Sequence, residues 1–572
     1  MEYTWITKLA PYKDKLFTGE WPTITQAFQI TLSKFPDKPC FTTFNPNRLT
    51  YTFADVNAHL LRISSYLREK GLTPGDKVVI NGKNSIEWAL SYLAINFAGG
   101  IVVPLDNQMN KDRLIQLIRF CDAKYIIADT MVLNNIQKKD ASLLSEMKEV
   151  IRMTGKGPGE YPPLMDLQPT TIKEAYHGSE TDIAAILFTS GTTGMEKGVV
   201  LTQKNIISDA FQVCDPNYLP VSEQDVLYAL LPLHHSYCCT AVLIETVVIG
   251  CECVFGHGIV ISRMINDLKQ GNITFFMGIP LLYNKLLNGM LKEIKKKGPF
   301  INAYVHTLMW INGFFKKYFN KNPLRGYFNK ILLDKIGFAH NKILICGAGP
   351  LAPRVFKQYQ QLGLDFIQGY GLTETSPIVA LNPTYHFKVD SVGKILPLID
   401  AKIINKDEKG IGELVVKGSI TTQGYYKDEE NTKQLFTEDG YLKTGDLGYL
   451  DKENYMFLKG RTKNVIVTEG GKNVFPEEIE DMFQLYSQVD QILIRGYQEK
   501  KEYPTEMIEA VIYPSKEYFA GKENTKEAEI NTIISTINKN LSGYKKITKL
   551  TLIDHPMATT STRKIKRNLV RL

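Results

Sequence analysis

The stretch between residues 184 and 200 carries the residue types best suited to holding a polyphosphate. An apolar run over 184–188 predicts a buried strand, and a loop of Thr, Ser and Gly follows it before Lys197. Glycines let backbone N–H groups turn toward an anion, hydroxyls add donors, and a lysine adds a point charge. The loop lacks the Gly-Lys-Ser/Thr ending of a Walker loop, so it is not of that type. The alternative to a phosphate-binding loop is a flexible surface turn. The candidate residues are Thr189, Ser190, Gly191, Thr192, Thr193, Gly194 and Lys197.

Further motifs with carboxylates, cations or clustered glycines follow downstream. They occupy residues 347–350, 370–374, 441–446 with 460–463, and 561–567. Glu374 and Asp446 offer hard oxygen atoms that can accept hydrogen bonds or bind a hard cation, and Lys564 offers a cation near the C-terminus. Each motif alone could arise by chance, so the assignment of function depends on the order and spacing of all the motifs together.

Length and composition predict a globular protein of more than one domain. A chain of 572 residues is too long for one hydrophobic core, and 44% hydrophobic with 22% charged residues is typical of globular proteins. The net charge of +8 permits contact with anionic ligands or a membrane surface. No basic stripe with interleaved aromatic residues predicts nucleic-acid binding. The eight cysteines are scattered without paired CxxC spacing, which favours core packing over a zinc site.

Sequence patterns favour a cytoplasmic location. The first residues lack a basic region followed by an apolar one, so we expect no signal peptide. The longest apolar tract, 241–255, is interrupted by Glu245 and Glu252 and is too short to span a bilayer.

Helix and strand patterns alternate through the first 180 residues. Helical spacing over 53–70, an apolar strand over 77–80 and a second helix pattern over 86–98 favour parallel sheets with covered faces. Residues 400–460 are rich in glycine and β-formers, which predicts a β subdomain. The predicted fold is therefore α/β and α+β. A large N-terminal domain of several subdomains spans 1–460, and a small mobile α+β domain spans 461–572.

The segment 292–340 mixes lysines with aromatic residues. A lysine triplet at 295–297 precedes five aromatic residues between 310 and 319. Such a segment can lie at a membrane interface, or it can form a pair of ordinary amphipathic surface helices. Both interpretations stay open on the sequence alone.

In this order and at this spacing, the five motifs resemble those of the adenylate-forming superfamily. That superfamily includes acyl-CoA synthetases, firefly-type luciferases and nonribosomal adenylation domains, and the resemblance covers essentially the whole chain. It implies that a carboxylate attacks the α-phosphorus of ATP, that pyrophosphate leaves, and that the acyl group then passes to a thiol. It also implies Mg²⁺ as cofactor, with ATP and CoA as substrates.

The resemblance assigns ATP contacts to most of the motif residues. Glu374 and Thr189 would hold Mg²⁺, and Thr373 would donate a hydrogen bond to the α-phosphate. Asp446 and Arg461 would hold the ribose. The other implied ATP contacts are the loop 189–194 with Lys197 over the β- and γ-phosphates, Gly347, Ala348 and Gly349 against the adenine, and Gly369, Tyr370, Gly371 and Leu372.

The resemblance also implies a moving C-terminal domain. Lys564 would be its catalytic lysine, bridging the substrate carboxylate and the α-phosphate, and Lys463 would be the hinge. Gly471 and Lys472 resemble the loop that enters for thiol transfer. His235 would lie near the acyl carboxylate, although a packed core histidine explains it almost as well.

Three positions depart from the family pattern. Glu196 stands where proline is usual and should face solvent, because a carboxylate facing a polyphosphate would be unfavourable. Gly-Ala-Gly at 347–349 stands where Gly-Gly-Ala is usual, with small size kept. Arg563 precedes Lys564 where glycine is usual, which leaves Lys566 as a substitute for the catalytic lysine.

The implied substrate is a long-chain fatty acid, because the insertion 292–340 resembles a region of long-chain fatty acyl-CoA synthetases. An acyl-carrier-protein ligase, a medium-chain or aryl-acid ligase, and a nucleotide-binding scaffold without catalysis are the alternatives. The acyl length, the thiol acceptor and the oligomeric state stay open. The expected partners are the fatty acid, ATP and CoA, with a carrier protein and a peripheral membrane contact as further candidates and no nucleic acid.

Overall fold

The computed structural model describes residues 4–155, 159–189, 196–256, 258, 260–468, 472–498, 506–560 and 564–570. The α-helices of these ranges are α1 (Thr4–Leu9), α2 (Ile24–Lys34), α3 (Phe53–Glu69), α4 (Ile86–Phe97), α5 (Lys111–Phe120), α6 (Thr130–Lys139), α7 (Ala141–Ser145), α8 (Gln203–Val213), α9 (Ser236–Cys238), α10 (Glu245–Ile249), α11 (Ile261–Gln270), α12 (Pro280–Lys296), α13 (Pro299–Phe319), α14 (Arg325–Phe328), α15 (Pro353–Gln361), α16 (Glu429–Leu435), α17 (Pro476–Glu480), α18 (Lys516–Phe519) and α19 (Lys526–Asn538). Wider π-helical turns over Cys239–Ile244 join α9 to α10.

The strands form two large sheets, a three-stranded sheet and a two-stranded ribbon. In chain order they are β1 (Pro39–Thr43), β2 (Leu49–Thr52), β3 (Lys77–Asn81), β4 (Ile101–Pro104), β5 (Tyr125–Ala128), β6 (Glu149–Arg152), β7 (Ile183–Thr189), β8 (Lys197–Thr202), β9 (Val226–Ala229), β10 (Glu252–Phe255), β11 (Phe275–Gly278), β12 (Ile343–Cys346), β13 (Asp365–Gly371), β14 (Ile378–Leu381), β15 (Gly393–Ile395), β16 (Ile399–Ile404), β17 (Gly412–Gly418), β18 (Leu442–Leu450), β19 (Tyr455–Arg461), β20 (Ile466–Val467), β21 (Asn473–Val474), β22 (Val489–Tyr497), β23 (Met507–Pro514) and β24 (Ile547–Leu552).

One large sheet has six strands in the order β6-β5-β3-β4-β7-β8. All neighbours are parallel except β7 and β8, which form an antiparallel hairpin. The parallel strands are apolar on both faces, because helices cover the sheet on each side. This sheet presents the β7–β8 hairpin at its edge, with Thr189 and Lys197 at the ends of the two strands.

The other large sheet has thirteen strands and changes character along its length. From β1 through β10, β9, β11 and β12 to β13 the strands run parallel. From β13 through β14, β15, β19, β18 and β17 to β16 each pair is antiparallel. The predicted β subdomain is this antiparallel half, and it carries residues 442–461 beside the parallel half.

The C-terminal part builds its own small core. Strands β22, β23 and β24 form a sheet against α19 and α17, and the buried side chains there are separate from the main core. The prediction of an α/β and α+β fold with a large N-terminal part and a small C-terminal domain is confirmed.

Local sequence explains most helix boundaries, as α3 illustrates. Its core face of Phe53, Val56, Leu60, Ile63 and Leu67 is fully buried, as the helical spacing predicts. At its start the Thr52 hydroxyl accepts from the Asp55 N–H while Asp55 accepts from the Thr52 N–H, which satisfies two otherwise unpaired donors. The helix stops at Glu69 because Gly71 turns the chain with φ of 84°.

The basic and aromatic segment 292–340 forms the end of α12, the whole of α13, and α14. In the described part of the chain, no helix combines the length and apolar character needed to cross a membrane. The tract 241–255 instead folds into the end of the π-helical turns, α10 and β10 within the core.

Candidate active site

The parallel half of the thirteen-stranded sheet defines where the candidate site forms. Strands β12 and β13 run side by side, so Gly347 and Leu372 leave the sheet at the same edge. In open α/β sheets, ligands bind at the carboxyl ends of the strands. The motif 347–350 and the motif 370–374, which are unrelated in sequence, therefore belong to one cleft.

Within the strip 347–349, Gly347 has no room for a side chain. A Cβ atom at Gly347 would lie 2.8 Å from the Tyr237 ring, and Ala348 has φ of 64°, in the left-handed region. A non-glycine residue in that region costs about 1 kcal/mol. The small size predicted for this strip is therefore a steric requirement at Gly347, and the strain at Ala348 marks a backbone shape fixed by its surroundings.

Gly371 allows the closest backbone approach in the cleft. A Cβ atom here would lie 1.7 Å from the carbonyl oxygen of Pro377, so no side chain fits. The next residue, Leu372, donates its N–H to the same carbonyl. Thr373 then presents its hydroxyl 3.3 Å from the Ser236 hydroxyl at the start of α9. Neighbouring Gly369 pairs with β14, where its position faces Leu381.

Glu374 lies at the centre of a polar contact network. Its carboxylate accepts a hydrogen bond of 2.9 Å from the Tyr425 hydroxyl. The Tyr425 ring lies 4.7 Å below the Lys197 ammonium, and that ammonium contacts Asn431 at 2.5 Å. Burial and the Glu374 charge raise the pKa of Tyr425, so its hydroxyl stays protonated and donates to the carboxylate.

The β7–β8 hairpin brings Thr189 and Lys197 into this network. Thr189 pairs with Lys197 across the hairpin, and its hydroxyl lies 3.5 Å from the Lys197 carbonyl oxygen. The hairpin docks on residues 424–426 through two backbone hydrogen bonds, which form one antiparallel bridge. The predicted loop residues Ser190, Gly191, Thr192, Thr193 and Gly194 lie outside the described residues.

Glu196 does not face solvent as the sequence predicted. It forms a partly buried ion pair with the Arg113 guanidinium of α5, and its side chain is 21% exposed. The guanidinium neutralises the carboxylate beside the hairpin, which removes the unfavourable charge that the sequence argument assigned to this position. Arg113 is distant in sequence, so no local pattern could have predicted the pair.

Asp446 is the most enclosed carboxylate of the cleft, with 5% of its surface exposed. One oxygen accepts from Arg461 Nε at 2.9 Å and the other accepts from the Tyr370 hydroxyl at 2.7 Å. Asp446 and Arg461 are direct neighbours on β18 and β19, which fixes their separation. The Asp446 charge raises the pKa of Arg461, and burial raises the pKa of Tyr370.

Lys564 reaches this cluster from the C-terminal part. The segment 558–560 pairs with 564–566 through backbone hydrogen bonds of 2.8 Å, which holds Lys564 in position. Its side chain keeps contact with solvent inside the cleft. Desolvation and the nearby Arg461 charge lower the pKa of Lys564 to about 8, while Asp446 acts in the opposite direction.

His235 lies close enough to Lys564 for the ammonium charge to act on its imidazole. Burial, the adjacent His234 and the Lys564 charge lower the pKa of His235 to about 3, so the imidazole is neutral at physiological pH. The two imidazole rings lie with centroids 4.3 Å apart and are tilted by 46°, and His234 Nε2 lies 3.7 Å from Asp106. His235 is a half-buried histidine packed against His234, and its predicted place near the acyl carboxylate stays a prediction.

The remaining predicted residues lie on the C-terminal side. Lys463 is exposed in the turn after β19, where Thr462 donates to the Gly445 carbonyl at 3.1 Å. Lys472 lies 4.9 Å over the Tyr544 ring, within the C-terminal domain. Gly471 lies outside the described residues.

Gln484 connects the two parts of the chain and was missed by the sequence analysis. Its side-chain oxygen accepts from the Ala352 N–H at 2.9 Å and from Asn284 at 3.4 Å. Its amide nitrogen donates to the Pro350 carbonyl at 3.1 Å and to Asp481 at 2.8 Å. One side chain thus links the C-terminal domain to the strip that follows β12.

Sequence reasoning also missed Tyr425, Asn431 and Ser236. Each reaches a predicted residue from a distant part of the chain, so no spacing rule could have selected it. Among the residues that the structure describes, no group of three or more His, Cys, Asp or Glu could hold a metal by itself.

This arrangement defines a class of protein. A doubly wound sheet, an edge hairpin beside Glu374, a buried Asp446 paired with Arg461 and a C-terminal lysine are the features of an adenylate-forming enzyme. The chain belongs to the AMP-binding enzyme family, whose pattern matches residues 28–426.

Known proteins are similar along nearly the whole chain. The long-chain-fatty-acid–CoA ligase FadD15 of Mycobacterium bovis is 28% identical over 538 residues, which is 87% of each chain. The chloroplastic long-chain-fatty-acid–[acyl-carrier-protein] ligase AEE15 of Arabidopsis thaliana is 24% identical, over 97% of this chain and 86% of its own. The crystal structure of the anthranilate CoA ligase AuaEII with anthranoyl-AMP shares the fold, with a TM-score of 0.78 at 20% identity over 96% of each chain.

Proposed function

We propose that the protein activates a long-chain fatty acid with ATP, releases pyrophosphate, and transfers the acyl group from AMP to the thiol of CoA. The observation that carries this proposal is the approach of Lys564 to Asp446, Arg461 and His235 in one cleft. A cation near both a predicted ribose contact and a predicted acyl contact suits the meeting point of the reacting carboxylate and the α-phosphate.

The first half-reaction forms a carboxylate oxygen–phosphorus bond and breaks the bond between the α- and β-phosphates. Negative charge builds on the non-bridging oxygens of the α-phosphate, so fixed cations and donors supply most of the catalysis. Lys564 and Thr373 take this role in the proposal. Lys197 and the loop 189–194 hold the β- and γ-phosphates, and pyrophosphate leaves from them.

The ribose and adenine contacts follow from the same cleft. Asp446 accepts hydrogen bonds from the ribose hydroxyls, with Arg461 holding its carboxylate in place. Gly347, Ala348 and Gly349 lie against the adenine, where only small residues permit close approach. The strand end at Gly369, Tyr370, Gly371 and Leu372 positions Thr373 and Glu374 beside the phosphates.

Glu374 and Thr189 would hold Mg²⁺ in this proposal. Carboxylate and hydroxyl oxygens are hard ligands that suit this ion, and phosphate oxygens and waters complete its coordination. When bound, the ion would neutralise part of the negative charge of the triphosphate. The Tyr425 hydroxyl orients the Glu374 carboxylate by donating to one of its oxygens.

The second half-reaction requires a change of domain orientation. In the proposal, residues 461–572 rotate about Lys463 as one body, which withdraws Lys564 and brings Gly471 and Lys472 to the cleft. The thiol sulfur then attacks the acyl carbon, and AMP leaves. Residues 1–460 stay fixed and, with Arg461 on the same side of the Lys463 hinge, keep the acyl and ATP contacts.

The long-chain acyl group and the CoA acceptor rest on the bacterial relative FadD15, which is named a long-chain-fatty-acid–CoA ligase. The plant relative AEE15 is named an acyl-carrier-protein ligase, so a carrier-protein arm is the second candidate acceptor. We further propose a cytoplasmic location with peripheral membrane contact.

Pyrophosphate release by the full chain tests the proposal. The acids are acetate, octanoate, palmitate, oleate and benzoate with MgATP, and each active acid is then offered CoA or holo acyl carrier protein. We expect release and thioester formation with palmitate and oleate, and CoA as acceptor. Activity with octanoate or benzoate alone assigns another acid, and no release with any acid makes the protein a nucleotide-binding scaffold.

A further inference from the structure

Helix α13 turns an aromatic face toward solvent. It has 21 residues, and Phe300 is 89% exposed, Trp310 64% and Tyr318 62%. The exposed aromatic and aliphatic residues of this helix are Phe300, Ile301, Tyr304, Trp310, Phe314, Phe315, Tyr318 and Phe319. Isolated exposed apolar residues are ordinary, but a contiguous patch on one helix marks an interaction surface.

The opposite face of α13 is fixed to the protein. Val305, Met309, Asn312 and Lys316 are buried there at helical spacing, against α15 and its surroundings. The Lys316 ammonium forms an ion pair of 2.7 Å with Asp365. At 100° per residue these four positions lie opposite residues 300, 304, 311, 314 and 318. The aromatic face is therefore held outward by a packed interior face.

The charge of the whole protein is concentrated around this helix. Residues 292–340 contain ten Lys and Arg against two Asp and Glu, a net charge of +8. The full chain also has a net charge of +8, so the remaining residues are balanced. The lysines at 295–297 are exposed just before α13, and Lys317 and Lys321 are exposed at its other end.

We propose that α13 docks on the surface of an anionic phospholipid bilayer, with its aromatic face among the headgroups and upper acyl chains. Trp and Tyr favour this interface, and lysines at both ends of the helix attract anionic headgroups. The packed face against α15 makes the helix lie flat, along about 31 Å of surface. This proposal is independent of the enzymatic one.

A second copy of the chain fits this surface less well. Two aromatic faces brought together would place two segments of net charge +8 opposite each other, and like charges across an interface are strongly unfavourable. An anionic bilayer complements both the aromatic residues and the lysines. The charge pattern therefore selects the lipid surface over self-association.

Flotation of the full chain with vesicles tests the proposal. The vesicles are phosphatidylcholine alone, or with one third phosphatidylglycerol, at low and high salt. We expect flotation with the anionic vesicles that weakens at high salt. The triple variant Trp310→Ser, Phe314→Ser, Tyr318→Ser should reduce partitioning by about tenfold or more. The matched control changes Leu49, Met131 and Ile172, which are exposed apolar residues elsewhere, to Ser and should float like the parent.

Two further measurements distinguish the attraction of the lysines to anionic headgroups from the insertion of the aromatic residues into the bilayer. Changing Lys295, Lys296 and Lys297 to Gln should weaken flotation, while the same change at the exposed Lys406, Lys409 and Lys452 should not. Trp310 fluorescence should shift to shorter wavelength with anionic vesicles, and Trp310→Phe should lose this shift while still floating.

Absence of flotation, or equal flotation of the aromatic variant and its control, would overturn the proposal. A dimer in sedimentation that the aromatic variant dissociates, without flotation of the parent, would also overturn it in favour of self-association. Thermal unfolding of each variant confirms that these surface changes leave the fold intact.

Discussion

Lys564 combines a position in the cleft with a lowered pKa. The pKa falls from 10.5 to about 8 because the cleft desolvates the ammonium and Arg461 lies nearby. The protonated form still dominates at neutral pH, so the side chain carries the charge needed beside a phosphorus centre. Its neighbour Lys566 is held by a backbone hydrogen bond to Ala558 and offers a matched comparison.

At the residue scale, we expect Lys564→Ala to lower the rate of acyl-adenylate formation by about a hundredfold or more, because it removes a cation from the transition state. Transfer from preformed acyl-adenylate to CoA should stay near the parent rate. Lys566→Ala should change neither rate beyond about twofold. Similar losses in both half-reactions, or a larger effect at Lys566, would contradict the assignment.

The pH dependence of adenylation provides a second readout of Lys564. Because the charged form is active and its pKa is lowered to about 8, kcat/KM for ATP should be level near neutrality and fall as pH rises through 8. Lys564→Arg keeps its charge across this range and should lack that alkaline limb, even at lower activity. A limb that persists in Lys564→Arg would have to come from another group.

Sequence reasoning identified the charged residues of the cleft better than their partners. Glu374, Asp446, Arg461 and Lys564 were selected from motifs, and the structure brings them into one region. Tyr425 was not selected, because its contact with Glu374 depends on how distant strands pair. A motif indicates the chemistry that its residues can perform, whereas the hydrogen-bond partners of those residues are determined by the tertiary fold.

At the element scale, the β7–β8 hairpin and the segment 424–426 act as one unit. Val199 pairs with Tyr425, and Tyr426 donates its N–H to the Gly198 carbonyl at 2.7 Å. This pairing places the Tyr425 ring under Lys197 and its hydroxyl on Glu374. Strand pairing thus couples the predicted triphosphate contact to the predicted magnesium ligand.

Tyr425→Phe should therefore raise the Mg²⁺ concentration needed for half-maximal adenylation by about fivefold to tenfold. The ring stays under Lys197, and one lost hydrogen bond to a charged group accounts for about 1.5–3 kcal/mol at most. Tyr426→Phe is the matched control, because its hydroxyl contacts Asp122 on the outer side. Titration of Mg²⁺ at saturating ATP measures both, and equal shifts would argue against a role of Tyr425 at the metal.

The ends of helices and strands depend on pairing with other elements as well as on local sequence patterns. The helical pattern of the sequence extends back to Leu201, but α8 begins at Gln203, because Leu201 and Thr202 pair with β7. The apolar run 226–233 favours a longer strand, but β9 ends at Ala229. Periodicity identified both elements, but their ends depend on neighbours that are distant in sequence. The thirteen-strand order could not be predicted, because it joins strands more than 200 residues apart, as β1 and β10 are.

For the whole molecule, Gln484 joins the C-terminal domain to the strip 347–352. Its contacts to Pro350, Ala352 and Asn284 stabilise the orientation in which Lys564 lies near Asp446. Two well-formed hydrogen bonds and one long one contribute about 1–3 kcal/mol together. A bias of that size changes the ratio of two orientations by about fivefold to a hundredfold.

Gln484→Ala should therefore slow adenylation several-fold and leave thiol transfer unchanged or faster, since it weakens only the orientation that holds Lys564 in the cleft. Gln488→Ala is the matched control, because Gln488 bonds Tyr518 and Glu529 within the C-terminal domain. Separate stopped-flow measurements of pyrophosphate release and of thioester formation from acyl-adenylate provide the two rates. If Gln484→Ala slowed both half-reactions equally, its contacts would support overall stability rather than a choice between orientations.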